Sequence, residues 1–513
     1  MVEGGLDATG GPRRECEEDS MRWSGRAIQI LQGLVLALLG LGFFCLPSDP
    51  ILNYSVTLNP YGTTPLAGVA RLECSRPLKV ERVQIEGGYS QDLKATEYSK
   101  SLEVPILGLR ANKEHTVRLL LSDRSGATIL TEARPVRTDP LPPQFPTISC
   151  HRKGRYPTLG FILHDLSLWE PNQVIPDTSF ITIVDTFGEV VWYQQHDSLF
   201  NEIKMLPNGR LMILDFSRRR IVEMDLLGRV FREFQAVGLS NQVEPGVIPV
   251  ETDTFHHDFV VDAQRDWIWT LGTRRRGDKI DDLVIAFDGK GRVRKEISLM
   301  NLLEPNRVIY PASPGLWSQF YDGSILDWGH ANSLAFDSTG QRALVSLRHQ
   351  DAVAEINLEA EQVLWILASD RGWSKSKESL ILKPLSGTQL PHRQHSAKWA
   401  SNGGLLLFDN GRTRSRVVSY LIDLTTRTAE QKWVFQDDKP FFSSFLSDVD
   451  ELPPYTLQIT DGGRQTPTGT FWARILEVQK AEPREKILEL VYKTGGRGCS
   501  IYRSQRIKDL YRG

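Results

Sequence analysis

Residues 394–410 read QHSAKWASNGGLLLFDN and contain the pattern that decides the fold. A short strand is followed by the turn SNGG and the apolar run LLLF, which is typical of a strand–turn–strand unit. The pattern recurs at spacings of roughly 55 to 75 residues. The other copies are FNEIKMLPNGRLMILDF (200–216), HHDFVVDAQRDWIWTLG (256–272) and GHANSLAFDSTGQRALVSL (329–347), with a weaker copy at 446–463.

These repeats predict a β-propeller. Each copy is followed by further strands, so that one unit supplies a four-stranded sheet, and such units with insertions are typical of propeller blades. FGEVVWYQQ (187–195) and KILELVYK (486–493) together would supply a closing blade. The sequence therefore predicts a six-bladed propeller over 147–513.

An uncharged apolar run spans 27–46 and is long enough to cross a bilayer. Several arginines precede it, and basic residues stay on the cytoplasmic side. We therefore expect a cytoplasmic tail (1–26), a membrane anchor (27–46) and a body exported to the periplasm or another extracytoplasmic side. No small-x-small site is clear after the run, which favours an anchor, although a cleaved signal segment stays open.

Short strands with alternating apolar and polar residues occupy 51–142 and predict a small β-sandwich. The Pro-rich stretch 137–146 would connect it to the propeller. The predicted fold class is thus all-β: a six-bladed β-propeller preceded by a small β-sandwich domain and an N-terminal transmembrane helix.

Composition excludes some functions and leaves others open. The 513 residues carry a formal net charge of -2 and are 40% hydrophobic, which argues against a nucleic-acid partner. Neither a Gly-rich phosphate loop nor zinc-type cysteine spacing occurs, so no cofactor is indicated. An exported body permits disulfides, and the ends of a closed ring meet, which favours pairing Cys150 with Cys499 over Cys74 with Cys150. A homodimer is left open.

Overlaying the copies places Asn201, His257, His330 and His395 in one column. Equivalent positions in a propeller form a ring around the central channel, so these side chains are expected to converge at the channel mouth. One histidine at a strand start is more often structural, whereas three at equivalent positions indicate function. Since side chains alternate along a strand, the adjacent His256 is the second choice after His257.

Three imidazoles could bind a metal ion, or they could act as nucleophile and acid-base groups around an anion. Arg348 lies in SLRHQDAVAEI (346–356), on the next strand after His330. A fixed positive charge disfavours a divalent cation and suits a tetrahedral oxyanion, which a guanidinium binds with two donors. The residues thus favour an enzyme without a metal. A non-catalytic propeller that binds sulfated or other anionic ligands is the alternative, and a three-histidine metalloenzyme is a weaker one.

Several motifs resemble the bacterial aryl-sulfate sulfotransferases that need no nucleotide donor. They are DWGHANS (327–333), SLRHQDAVAEI (346–356), QHSAKWASNGGLLLFDNG (394–411), HHD (256–258) and TLNPYGTTPLAGVARL (57–72). The resemblance covers most of the chain after the apolar run. It implies a six-bladed propeller with an N-terminal β-sandwich, and ping-pong sulfuryl transfer from an aryl sulfate donor to a phenolic acceptor.

The resemblance also implies roles for individual residues. The nucleophile that forms a sulfo-histidine falls on His395, the supporting histidines on His257 and His330, and the anion-binding arginine on Arg348. Asn332 fits the asparagine of the His-x-Asn motif, and His256 and Asn201 are further candidates for substrate binding. The stretch 371–393 lacks the close cysteine pair that members of this family carry before the nucleophile.

Overall fold

The computed structural model describes residues 50–93, 97–153, 159–170, 175–240, 242–310, 315–322, 325–437, 441–452, 455–466 and 469–512. The predicted cytoplasmic tail and membrane anchor lie outside these residues. Within the described ranges, no helix is both long enough and apolar enough to cross a membrane. Strands dominate the described chain, so the all-β prediction is confirmed.

Seven strands form the N-terminal β domain: β1 (Ile51–Leu58), β2 (Gly68–Glu86), β3 (Gln91–Asp92), β4 (Ser99–Ile106), β5 (Glu114–Ser122), β6 (Thr128–Leu130) and β7 (Arg134–Arg137). The long strand β2 pairs with β1 and β4 through its first half and with β3 and β5 through its second half. Alternate residues of β2 face a shared apolar core, which includes Leu72, Val83 and Leu119. The alternation therefore places this core where the sequence predicted it.

Six further sheets form the blades of a propeller, which confirms the six-bladed prediction. Blade 1 contains β9 (Phe161–Trp169), β10 (Thr178–Asp185) and β11 (Val190–His196), joined by β35 (Gly498–Ser500) and β36 (Ser504–Ile507). Blade 2 contains β12 (Phe200–Met205), β13 (Leu211–Asp215), β14 (Arg220–Met224), β15 (Val230–Ala236) and β16 (Ile248–Val250). Blade 3 contains β17 (Phe255–Asp262), β18 (Trp267–Arg276), β19 (Lys279–Asp288), β20 (Val293–Ser298) and β21 (Leu326–Asp327).

The other three blades follow in chain order. Blade 4 contains β22 (Ala331–Phe336), β23 (Arg342–Leu347), β24 (Ala352–Asn357) and β25 (Gln362–Leu367). Blade 5 contains β26 (Lys383–Pro384), β27 (His395–Trp399), β28 (Leu405–Asp409), β29 (Arg416–Asp423) and β30 (Thr428–Phe435). Blade 6 contains β31 (Asp448–Leu452), β32 (Thr456–Gln465), β33 (Phe471–Gln479) and β34 (Lys486–Lys493), joined by β8 (Thr147–Arg152).

Short helical segments lie in the connections between strands. Two are α-helical, α1 (Leu299–Leu302) and α2 (Lys375–Glu378), and two are 3-10 turns, Gly315–Gln319 and Arg348–Gln350. The turn Arg348–Gln350 connects β23 to β24 at the end of blade 4 that carries the predicted site.

The innermost strands contact one another around the ring. β12 contacts β17, and the series continues through β22, β27 and β31 to β36, which returns to β12. The ring closes twice, because β8 pairs with β34 of blade 6 while β35 and β36 pair with β9 of blade 1. The prediction that 187–195 and 486–493 share one blade was wrong, since β11 belongs to blade 1 and β34 to blade 6.

The closure brings Cys150 and Cys499 to the same blade junction but does not join them. Both residues remain thiols. The Cys499 thiol donates to the Tyr492 carbonyl at 3.4 Å, whereas the Cys150 thiol lies 3.8 Å from the Thr186 carbonyl. The favoured disulfide is therefore not formed, and each thiol instead contacts a different backbone carbonyl.

Candidate active site

Hydrogen bonds between neighbouring blades link the inner strands close to where each strand begins. In each case a backbone N–H donates to a side chain of the preceding blade: Leu334 N to Asp258 Oδ2 (2.9 Å), Ala397 N to Ser333 Oγ (3.0 Å) and Val449 N to Ser396 Oγ (3.4 Å). The residues immediately before these acceptors are therefore equivalent, and they are His257, Asn332 and His395. The predicted column was wrong at blade 4, where His330 lies two residues before the equivalent position.

β-Bulges that differ between the blades contribute to the displacement of His330. The pairing of β17 with β18 shifts between His256 and Phe259, whereas that of β22 with β23 shifts between Ala331 and Ser333. A bulge adds a residue to one strand and redirects its side chains. Counting residues along the repeats therefore does not predict which side chain points into the channel.

His257 and His330 nevertheless lie side by side, with 4.8 Å between their ring centroids. Both have a left-handed backbone, with φ of 61° and 49°. A non-glycine residue adopts this conformation at a cost on the order of 1 kcal/mol, and such strain is common where a side chain must be aimed. The backbone thus directs the two imidazoles of different blades towards each other.

The tautomer of His395 is fixed by Asn410. The Asn410 Nδ2 group donates to two backbone carbonyls, Ser443 O (2.8 Å) and Leu446 O (3.1 Å), so that Asn410 Oδ1 faces His395. This oxygen lies 2.7 Å from His395 Nδ1 and accepts only, so Nδ1 must carry the proton. His395 Nε2 is therefore the nitrogen with a free lone pair.

His395 is kept neutral by its surroundings. Its exposed fraction is 2%. Burial, followed by the charge of Arg348, holds its pKa well below the usual value, and the hydrogen bond to Asn410 offsets this only in part. At neutral pH the Nε2 lone pair is therefore available to attack an electrophile.

His257 is fixed in the same tautomer through His256. The His256 Nε2–H group donates to the Gly272 carbonyl at 3.0 Å, and burial lowers the pKa of His256 to about 3. His256 is thus neutral with its one proton on Nε2, so its Nδ1 accepts a hydrogen bond from His257 Nδ1, 2.7 Å away. His257 Nε2 therefore also carries a free lone pair, and burial holds the pKa of His257 well below its usual value.

His330 has a carboxylate partner instead. Its Nδ1 lies 2.6 Å from Asp327 Oδ2, and its ring centroid lies 4.6 Å from that of His349. Burial alone would raise the pKa of Asp327, but the His330 and His349 rings outweigh burial and lower it. Asp327 is therefore an ionised acceptor that can stabilise an imidazolium at His330.

Arg348 supplies a positive charge beside these imidazoles. Its backbone N–H donates to His330 O at 3.2 Å, and its Nη2 group donates to Ser444 O at 2.9 Å. Among the described residues it has no carboxylate partner, and its Nε is buried without a hydrogen bond. Burial, followed by the charge of Arg393, lowers the pKa of Arg348 to about 10, so that it stays charged. Such a cation suits an anionic ligand.

Two family models match this chain. The model of the arylsulfotransferase (ASST) domain matches residues 156–503, and that of the arylsulfotransferase Ig-like domain matches residues 55–139. The chain belongs to the arylsulfotransferase family. The two matches correspond to the propeller and to the N-terminal β domain, so the predicted family is confirmed.

Two curated proteins are similar to this chain. The arylsulfate sulfotransferase AssT of Escherichia coli O6:H1 is 26% identical over 340 residues, which cover 54% of this chain and 55% of the relative. The protein of the same name from Lelliottia amnigena is 24% identical over 338 residues, which cover 53% of this chain and 55% of the relative. The chain spans about half the length of the curated relatives that it matches.

In the structure, the residues predicted for substrate binding support the histidines. Asn201 Oδ1 accepts from the backbone N–H of His257 at 3.0 Å, and Asn332 Nδ2 donates to Gln394 O at 2.8 Å. His256 has both ring nitrogens engaged. Each of the three thus positions a neighbouring backbone or ring, and direct contact with a substrate stays a prediction.

Sequence reasoning missed Asp327, Asn410 and two aromatic walls. Trp317 lies 5.1 Å from the His256 ring, between centroids, and Tyr502 lies 5.9 Å from the His257 ring. Trp317 comes from the 3-10 turn before β21 and Tyr502 from the segment between β35 and β36. Neither lies in a repeat copy, so no periodic signal indicated them.

Asp327, His330 and His349 place potential ligand atoms within 4.8 Å of one another. His330 Nδ1 is already bound to Asp327, and the His349 ring lies 2.8 Å from the Asp327 carbonyl through its own Nδ1. Asp327 Oδ1 is buried without a hydrogen bond and would be open to a metal ion. The charge of Arg348, the residue before His349, disfavours a divalent cation, so the site fits imidazole acid-base chemistry better than ligation of such an ion.

Proposed function

We propose that this protein transfers a sulfuryl group from an aryl sulfate to a phenolic acceptor through a sulfo-histidine at His395. The observation that carries the proposal is the hydrogen bond from His395 Nδ1 to Asn410 Oδ1, which leaves Nε2 as an unprotonated nucleophile. The family assignment and the names of the relatives support aryl sulfate and phenol as the substrates.

In the first half-reaction the lone pair of His395 Nε2 attacks sulfur. An N–S bond forms, the S–O bond to the aryl group breaks, and the departing phenolate takes a proton from His330. In the second half-reaction the acceptor phenol gives its proton to His330 and attacks sulfur. The N–S bond then breaks and its electron pair returns to His395 Nε2, which gives ping-pong kinetics.

The remaining residues stabilise charge and orient oxygens. Sulfuryl transfer has a loose transition state like that of phosphoryl transfer, so positioning and charge stabilisation dominate catalysis. Arg348 binds the sulfuryl oxygens with its guanidinium. His257 packs edge-on against the His330 ring and holds that ring in position for proton transfer.

The proposal is tested by mixing the purified protein with 4-nitrophenyl sulfate in the absence of an acceptor. Nitrophenol should appear once per active site and then stop, and added phenol should restart turnover. The trapped protein should carry one acid-labile sulfuryl group on the peptide that contains His395. Saturable binding of the aryl sulfate with neither burst nor adduct would instead favour a non-catalytic, anion-binding propeller.

We further propose that the body is exported and anchored in the membrane by 27–46. The arginines before this apolar run support that orientation. A reporter fused after Asp49 should be active only outside the cytoplasm. A reporter that is active in the cytoplasm would contradict the orientation, and fully soluble mature protein would contradict the anchor alone.

A further inference from the structure

Arg393 is a second guanidinium next to the site, two residues before His395. It is half-buried, and its guanidinium carbon lies 4.4 Å from the centre of the Tyr310 ring. Its backbone is left-handed, with φ of 51°, although it is not a glycine. Strained backbone at a binding surface commonly aims a side chain. Within the described ranges, no carboxylate forms an ion pair with this guanidinium.

The carboxylate of Asp351 is close to Arg393 in the chain fold, but it is bound by other donors rather than by the Arg393 guanidinium. The Asp351 carboxylate accepts from Tyr310 OH (2.7 Å), from His392 Nδ1 (2.9 Å) and from the backbone N–H of Arg393 (2.7 Å). Asp351 also ends the turn that begins at Arg348, through its N–H to Arg348 O at 3.4 Å. Asp351 therefore ties the loop before His395 to the turn of Arg348, and both oxygens of its carboxylate already accept hydrogen bonds from other donors.

Arg393 and Arg348 are consequently two cations on adjoining segments that meet at Asp351. After burial, the charge of Arg393 is the largest influence on the pKa of Arg348, and it lowers that pKa. Like charges held close together at low solvent exposure are unfavourable unless an anion neutralises them. An aryl sulfate ester carries one negative charge, which Arg348 and the imidazoles can bind, so the second guanidinium is left for another anionic group.

We propose that Arg393, stacked on Tyr310, is a specificity subsite for aryl substrates that carry a second anionic group, such as a carboxylate on the ring. This inference rests on the proposed sulfuryl transfer. The guanidinium would bind the carboxylate through paired N–H donors. Its contact with the Tyr310 ring, 4.4 Å from the ring centre, holds the planar group in place for this role.

The test compares two acceptors of similar shape, 4-hydroxybenzoate and its neutral counterpart 4-hydroxybenzamide, with 4-nitrophenyl sulfate as the donor. The variants are Arg393→Gln and Arg393→Lys, and the matched control is Arg414→Gln, an exposed arginine of the same blade. The measured quantity is the benzoate-to-benzamide ratio of acceptor kcat/KM. Dividing the ratio of each variant by that of the wild type cancels the intrinsic reactivity of the two phenols.

Arg393→Gln should lower this ratio by ~10-fold or more, equivalent to ~1.4 kcal/mol, mostly through the KM of the benzoate. Arg393→Lys should retain part of the preference, and Arg414→Gln should leave the ratio unchanged. The nitrophenol burst counts active sites, so rates are compared per folded enzyme. A ratio that Arg393→Gln does not change would overturn the subsite alone. If the wild type sulfurylates neither acceptor, the proposed function is overturned instead.

Discussion

Blades 4 and 5 each contribute an imidazole with Nδ1 bound to an oxygen, but the oxygens differ. In blade 4 His330 binds the Asp327 carboxylate, whereas in blade 5 His395 binds the Asn410 amide. A carboxylate can stabilise an imidazolium, while a neutral amide only fixes the tautomer. The difference separates two tasks: His330 can hold a proton, and His395 can present a lone pair.

In the proposed mechanism, the amide would also determine how the sulfo-histidine intermediate behaves. Once sulfur was bonded to His395 Nε2, the imidazole would still carry its proton on Nδ1, and Asn410 could not remove it. The imidazole ring would therefore stay cationic and remain a good leaving group for the second half-reaction. A carboxylate at this position would compete for that proton.

The largest effect is expected from His395→Asn. Loss of the nucleophile should abolish both the burst and the adduct and lower turnover by at least ~10³-fold. The matched change in blade 4, His330→Asn, should slow both half-reactions while the label stays on the peptide that contains His395. A label on His330 or His257 would reverse the roles assigned to the two blades.

A smaller effect is expected from Asp327→Asn, which gives blade 4 the amide partner found in blade 5. His330 would then hold a proton less readily, and proton transfer contributes on the order of 10²-fold or more to such reactions. Donors with a poor leaving group should slow by about this factor, and 4-nitrophenyl sulfate should slow much less. An equal loss for both donors would contradict an acid-base role for His330.

Arg348→Lys tests the anion contact shared by the two blades. Lysine keeps the charge but lacks the planar pair of N–H donors. Turnover should fall by at least ~10-fold, which corresponds to ~1.4 kcal/mol of barrier. A rate equal to that of the wild type in a folded variant would leave Arg348 with only its structural contacts to His330 and Ser444.

The smallest change is expected from Asn410→Asp, which gives blade 5 the carboxylate partner of blade 4. In the wild type the pKa of His395 is well below 6.5, so His395 should stay neutral on acidification and the burst rate should not fall until the pH is well below 6.5. A carboxylate would stabilise the imidazolium and raise that pKa, so the loss of activity on acidification should begin about one pH unit higher. Asn410→Ser, which adds no charge, is the control, and an unshifted acidic limb would contradict the role of the amide.

The repeats were sufficient to predict the propeller and its blade number, because strand alternation and turns are encoded locally in copies such as 256–272 and 394–410. They also led to His257, His330, His395 and Arg348. The hydrogen-bond partners of the histidines were not predictable in the same way. Asn410 lies within the stretch 394–410, but it resembles a turn residue until the pairing of β27 with β28 is known. The displacement of His330 likewise depends on a bulge, which spacing alone does not reveal.

The closure of the ring determines when the site is completed during synthesis of the chain. Tyr502 lies beside His257, and Arg503 Nη2 donates to Asn332 O at 2.6 Å, between the two strands that close blade 1. Ribosomes make these residues after every histidine of the site. A nascent chain that already contains His395 therefore still lacks Tyr502 and Arg503, and the site is complete only after β35 and β36 pair with β9.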